Sequence, residues 1–309
     1  MTTYIVRRLL WLPILLLLIA LITFALGLYG PGDPVDVMLG ERGSSEARER
    51  LRRELGLDRP FFVQYLDYVW RALHGDFGES FKYRGQPVRR LIGQCLWVSI
   101  QLNLAVMAVG IFIGIPLGVI AALKRNTWID YLAVFITVGS ISFPSFVRAP
   151  ILLWLFAWWL RILPSGGWEG IFSTRIIMPV MVLSAGPIAV FTRQTRASML
   201  EVLSQDYVRT ARAKGLTEKM VIIGHALRNA LIPLFTIFGL MVGGLVGGAI
   251  ITEAFFGIPG IGRLVFASFA ARDYPVITTF TLIVAVSYTL ASLLIDVCYG
   301  FLDPRIRYQ

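Results

Sequence analysis

Chemistry-bearing side chains are scarce. The chain of 309 residues has two cysteines, Cys95 and Cys298, and two histidines, His74 and His225. The cysteines fall in or beside different apolar runs near opposite membrane faces, so a disulfide between them is not expected. No Cys-x-x-Cys or other metal-ligand spacing occurs, and no metal is expected on this chain. There is no Gly-x-x-x-x-Gly-Lys-Ser/Thr phosphate loop, no Gly-x-Ser-x-Gly elbow and no convincing pair of carboxylates. His74 and Asp76 have no nucleophile near them in sequence and read as a capped turn. The chain therefore has no visible means of hydrolysing ATP. Acidic residues number 19 against 29 Lys and Arg, a net charge of +10. In a soluble protein that excess would suggest nucleic acid; here membrane loops and anionic lipid account for it, and no nucleic-acid partner is expected.

Apolar residues, in contrast, make up 56% of the chain, and mean hydropathy is +0.70, the range of polytopic membrane proteins. Leu9–Leu28 is a charge-free run behind Arg7 and Arg8, long enough to cross a core of ~30 Å. Ala25-Leu26-Gly27 resembles a signal cleavage site, but the run exceeds the usual ~7–15 residues of a signal. An uncleaved anchor is expected, giving a first unit of residues 1–28. Residues 29–94 are polar, with a turn at Pro31–Pro34, a charged helix over Arg48–Leu55 and an aromatic stretch over Phe61–Leu73. They predict a small helical segment on the outer membrane surface. The remainder, 95–309, is a transmembrane unit.

Within it, Cys95–Leu123 is the second span, where Gly110, Gly114 and Gly118 form a small-residue face and Pro116 predicts a kink. Lys124, Arg125, Trp128 and Asp130 form a short loop. Tyr131–Leu160 predicts one bent third span, interrupted by Pro144, Arg148 and Pro150. A fourth span covers Ile176–Thr192, a fifth Leu231–Thr252 and a sixth Pro275–Ile295. The fifth carries Gly239, Gly243 and Gly247 in one row for helix packing, with Gly244 and Gly248 alongside. Glu253–Tyr274 reads as a turn and an interfacial segment. The fold class is an all-α membrane protein with six transmembrane helices. Lys and Arg number 13 in the segments placed inside and four in the two short outside loops. Residues 29–94 hold eleven more, but segments beyond ~60 residues translocate largely regardless of charge. Both termini are expected to be cytoplasmic.

The longest polar interval of the second half lies in the cytoplasmic loop 193–230. It predicts two short helices split by glycine. Ser204 would cap the first, Asp206 would sit in its opening turn, and Arg209, Arg212 and Lys214 would crowd its end. Gly215 stands at a left-handed C-cap, and Thr217 with Glu218 would open the second helix. Leu200, Leu203, Tyr207 and Ala211 would form its apolar stripe.

A helix–Gly–helix between two spans resembles the coupling loop of ABC importer permeases, where it seats in the ATP-hydrolysing subunit. In that register Arg209, Thr210 and Ala211 take the first three positions and Gly215 the glycine, with Leu227 near the end. The string Asp206-Tyr207-Val208-Arg209-Thr210-Ala211-Arg212-Ala213-Lys214-Gly215 is similar to the peptide-importer branch. So are GDP, ERG, HGDFGESFKY, FPSF, GIPGIG, RDYPV and LDPRIRY, in that order. Together they resemble the B-type membrane subunits of oligopeptide and dipeptide importers. The resemblance implies a type I ABC importer permease fold in a bacterial or archaeal cytoplasmic membrane. It implies a homologous C-type permease, two ATP-binding subunits carrying ATP and Mg, an extracytoplasmic substrate-binding protein, and oligopeptide as substrate. Dipeptide, glutathione and nickel importers share the pattern. A proton-coupled carrier would show internal repeats and a midplane carboxylate, and neither is evident. Arg148 departs from the apolar residue usual in its motif. It either bonds freed backbone carbonyls and snorkels, or lines the translocation path with Pro144 and attracts peptide carboxylates.

Overall fold

The computed structural model describes residues 2–29, 34–39, 44–54 and 56–302. Most of the Pro31–Pro34 turn, the Glu41–Gly43 motif, Leu55, the side chain of Cys298 and residues 303–309 lie outside the described part. The regular elements of the described chain are helices, with one isolated β-bridge between Glu79 and Pro87. Its helices are α1 (Thr2–Tyr29), α2 (Pro34–Leu39), α3 (Ser45–Glu54), α4 (Phe61–Leu73), α5 (Val88–Leu123), α6 (Trp128–Ser142), α7 (Ser145–Leu152) and α8 (Ile177–Leu203). They continue as α9 (Asp206–Ala213), α10 (Glu218–Met220), α11 (Arg228–Ala230), α12 (Ile232–Gly243), α13 (Ile250–Phe255), α14 (Ile261–Ala270) and α15 (Tyr274–Leu302). Four helices are long and apolar enough to cross a membrane, or six spans if each of two bent pairs counts as one.

The α5–α8 pair is the centre of the molecule, and glycine is the reason. A Cβ at Gly110 would stand 2.6 Å from Pro187 Cβ, and one at Gly114 2.7 Å from Phe191 Cβ. At Gly118 it would stand 2.6 Å from both Thr192 O and Thr195 Cβ. No real side chain tolerates these separations, so the two backbones meet only because the row lacks side chains. Leu102, Val106, Met178, Val182 and Phe256 fill the core beside this seam. The α5 helix passes through Pro116 without a break. A second seam joins α12 to α15: Gly239 faces Ile295, and Gly243 faces Tyr288 and Ala291. Gly247 is not part of it. The helix gives way to a 3₁₀ turn at Gly244–Val246, and Gly248 turns left-handed (φ +68°) with a Cβ position 2.6 Å from Gly262 N. The fifth span thus stops well short of Thr252, which belongs to the separate helix α13.

Other boundaries also move. The second span begins at Val88 rather than Cys95, taking Arg89 and Arg90 into its first turn. The fourth does not stop at Thr192 but runs unbroken to Leu203. Trp128 and Asp130 open α6 instead of lying in a loop. The third span bends by 98° between α6 and the segment Ser145–Trp159. Phe143 and Pro144 are extended at the bend, and Leu153–Trp159 continues as a wide π-type helix. The segment after the first span does not stand apart from it either. Tyr65 of α4 donates to Leu17 O of α1 at 2.8 Å, and Phe24 stacks on Tyr68 at 5.4 Å. A helix rises 1.5 Å per residue, so Leu17 lies ~18 Å from the C-terminal end of α1. The exposed Phe62, Leu66, Trp70 and Leu73 of α4 suit lipid contact at that depth.

Three buried carboxylates tie these elements together. Asp273, fully buried, accepts from Ser80 Oγ and from Phe81 N at 3.0 Å, joining the FGESFKY turn to the α14–α15 corner. Glu253, also fully buried, accepts from Ser99 Oγ (2.7 Å), Ala249 N (3.0 Å) and Arg263 N (2.9 Å). Gly260 and Gly262 leave the room it occupies. Asp130 takes a bidentate pair from Arg196 at 2.6 and 2.8 Å, fastening the start of α6 to α8. Each carboxylate is fully engaged, as a buried charge requires.

Candidate functional site: the loop between the fourth and fifth spans

The loop is built as an exposed plate on an apolar footing. Its first helix, α9, starts later than the sequence suggests. Ser204 ends α8 and donates to Glu201 O at 2.7 Å, while Gln205 occupies the N-cap of α9 without a side-chain bond. Asp206 lies in the first turn of α9, near Arg209 at 3.7 Å. The apolar stripe is also different. Val208 and Ala211 are buried, and they pack with Val221, Val202, Leu203 and Leu216, whereas Tyr207 is 41% exposed. Ala211 is therefore part of the footing and not of the outer face. Tyr207 turns outward, and its hydroxyl accepts from Asn229 Nδ2 at 2.8 Å.

Gly215 carries φ +77° and has no atom within 4 Å of the position a Cβ would take. The turn is left-handed and open, so glycine is needed for its backbone and not for space. Across it, Arg212 grips Glu218 through two bonds of 2.7 and 3.2 Å, and this hydrogen bonding raises the Arg212 pKa. Thr217 sits at the N-cap of α10 but makes no side-chain cap bond. The second helix is short: α10 passes into a π-type segment, Val221–Leu227, which carries the exposed His225. The chain then bends by 53° into the fifth span. The outer face of the plate is Asp206, Tyr207, Arg209, Thr210, Arg212, Ala213 and Lys214, all exposed. It is polar, cationic in balance and firmly held from below.

Residues 114–308 match the family described as "Binding-protein-dependent transport system inner membrane component". The chain belongs to that family. Residues 1–88 match its N-terminal companion, "Binding-prot-dependent transport system membrane comp, N-term". The permease is 39% identical to the dipeptide transport system permease protein DppB of Alkalihalophilus pseudofirmus, with all of both chains covered. It is 41% identical to DppB of Escherichia coli K12 over 94% of each chain, and 38% identical to the glutathione transport system permease protein GsiC of the same strain over all of both. A solved structure of the inward-facing MetNI methionine ABC transporter matches with TM-score 0.58 at 18% identity, covering 69% of this chain and 96% of that one. That likeness shows the fold, a type I importer permease.

Family membership makes the permease a multi-pass membrane component of an ABC importer rather than a catalytic subunit. Further features lie apart from the loop. Arg148, in the first turn of α7, has Nε and Nη1 buried without any hydrogen-bond partner among the described residues. Pro144, at the N-cap of α7, is exposed. A cavity of about 800 Å³ opens between α1, α4, the segment 76–87 and the start of α15, with Tyr68, Arg71, Arg84 and Asp76 on its wall. Sequence reasoning missed Glu253, Asp273 and Asp130. The signal that could have found them is that each lies in or next to an apolar helix where an unpaired acid would be costly.

Proposed function

We propose that this permease forms half of the membrane path of an ATP-driven importer of short peptides. The observation that carries the proposal is the exposed plate α9–Gly215–α10, fixed to the cytoplasmic continuation of α8, on a chain without a phosphate loop. Energy enters through two partner ATPases that hold the ATP and Mg, and the plate is their seat. A homologous C-type permease supplies the other half of the path, and an extracytoplasmic binding protein delivers substrate. The loop and both termini face the cytoplasm, with residues 29–94 outside. Short peptides are the substrate class that the named relatives favour, since dipeptide and glutathione permeases align along nearly the whole chain. The oligopeptide lean of the HGDFGESFKY and FPSF motifs fits the same class.

The α8 helix explains how the plate could act at a distance. It is one continuous rod from Ile177 to Leu203, meeting α5 along the glycine row and α6 through Arg196. A displacement of α9 is handed to that rod within three residues of chain. Reconstitution of the chain with its two ATPases, C-type partner and binding protein in proteoliposomes tests the reading. Labelled di- and tripeptides should accumulate only with ATP available to the ATPases. Accumulation driven by a proton gradient without ATP would overturn it.

A further inference from the structure

Arg148 Nε and Nη1 have no acceptor among the described residues. Two of its nitrogens are buried and unbonded among the described residues, so it neither satisfies the carbonyls freed near Pro150 nor extends those groups into water. The buried carboxylates of the surrounding elements are taken: Asp130 by Arg196, Glu253 by Ser99 and two backbone amides, Asp273 by Ser80 and Phe81. Depth makes the case sharper. The α6 helix has 15 residues, so the bend at Phe143–Pro144 lies ~22 Å from its cytoplasmic start, short of the ~30 Å core. Arg148 follows within one turn. Extended backbone at that depth is tolerated where it faces protein or a water-filled cavity, not lipid. Phe143 and Pro144 are exposed on this chain. The elbow therefore opens toward the side where the other half of the transporter or its cargo must lie.

We propose that Arg148 is a specificity-determining residue of the path, pairing with a carboxylate of the peptide in transit. The relevant carboxylate is the terminal one or an acidic side chain. A guanidinium binds it through charge-assisted N–H···O bonds, and Arg148 is only half-buried, with Nε and Nη1 unbonded among the described residues. This rests on the peptide-import reading. It deepens that reading by assigning the permease a preference of its own, separate from that of the binding protein.

The test uses the reconstituted complex with one unchanged binding protein in every arm. Uptake of acidic, neutral and basic peptides of equal length is measured in competition, each with a free and an amidated C-terminus. Arg148→Met should lower the preference for free-carboxylate and acidic peptides about tenfold, while Arg148→Lys keeps most of it. Basal ATPase activity and subunit recovery should be unchanged in both. The same carboxylate could instead come from the homologous permease subunit. In that case Arg148→Met would lose assembly or basal hydrolysis and leave the preference order intact, which overturns the proposal. If the methionine variant does not assemble, the lysine variant decides through its ratio of acidic to amidated uptake. A ratio equal to the wild type's at pH 7, falling as pH approaches the lysine pKa, supports pairing; a ratio indifferent to pH over that range overturns it. Absence of any peptide uptake by the wild-type complex would refute the import reading itself, a result distinct from unaltered preference in a working variant.

Discussion

Gly215 offers the cleanest perturbation of the loop. Its φ of +77° is a left-handed conformation that costs an L-residue roughly 1–2 kcal/mol. Because no atom lies within 4 Å of the added Cβ, packing contributes nothing and the whole effect is backbone strain. The footing resists relaxation on both sides: Val208 and Ala211 hold α9 from before the turn, and the Arg212–Glu218 bridge spans it. A cost of 1–2 kcal/mol corresponds to about a 5- to 30-fold loss in the docking-competent geometry. Gly215→Ala should therefore weaken ATPase attachment near the low end of that range. Gly215→Val should reach the high end, since β-branching worsens a positive φ. Gly215→Asn, which tolerates the conformation, should stay near the wild type. The assay is the apparent affinity of the purified ATPase subunit for the permease in detergent, followed by ATP-driven uptake. Loss in the asparagine variant equal to that in the valine variant would refute the strain argument. Wild-type behaviour of all three would remove the loop from coupling.

Two other substitutions probe what carries the motion. Gly114→Val places a side chain 2.7 Å from Phe191 Cβ and 2.9 Å from Ile188 O, and should cost at least the 1–3 kcal/mol typical of overpacking, read as a lower melting temperature of the detergent-solubilised complex. Asp130→Ala leaves Arg196 unpaired beside a site that is 2% exposed. It should cost about 3 kcal/mol, the low end for breaking a buried pair, and thermal unfolding with and without Arg196→Met in the same chain would show the deficit partly relieved in the double variant.

Much of this architecture is legible in the sequence because lipid imposes simple rules. Runs of apolar residues mark the spans, and glycines at a spacing of four mark the α5–α8 seam. Gly215 is readable because a basic last turn followed by glycine is a helix stop. The errors share one cause: hydropathy reports what surrounds a residue, not what its backbone does. The charge-free run ends the fourth span at Thr192 on hydropathy grounds, yet the helix continues to Leu203 as one rod. Ser204 looks like a start signal and is in fact the C-cap of that rod, one residue past Leu203. Periodicity alone placed Tyr207 on the apolar stripe. The break at Gln205 resets the helical phase, and Val208 takes the buried position instead. Glu253 and Asp273 look like loop acids because their partners, Ser99 and Ser80, are more than 150 residues away in the chain.

The account's central claim is that the α9 plate is where the ATPase sits. A photo-activated cross-linking amino acid at position 209, on the exposed face of α9, tests it in the assembled complex within the membrane. The account predicts an adduct with the ATP-binding subunit, whose yield changes between the nucleotide-free and ATP-bound states. Adducts with lipid alone, at equal yield in both states, would contradict it and reduce the loop to a basic patch on the membrane surface.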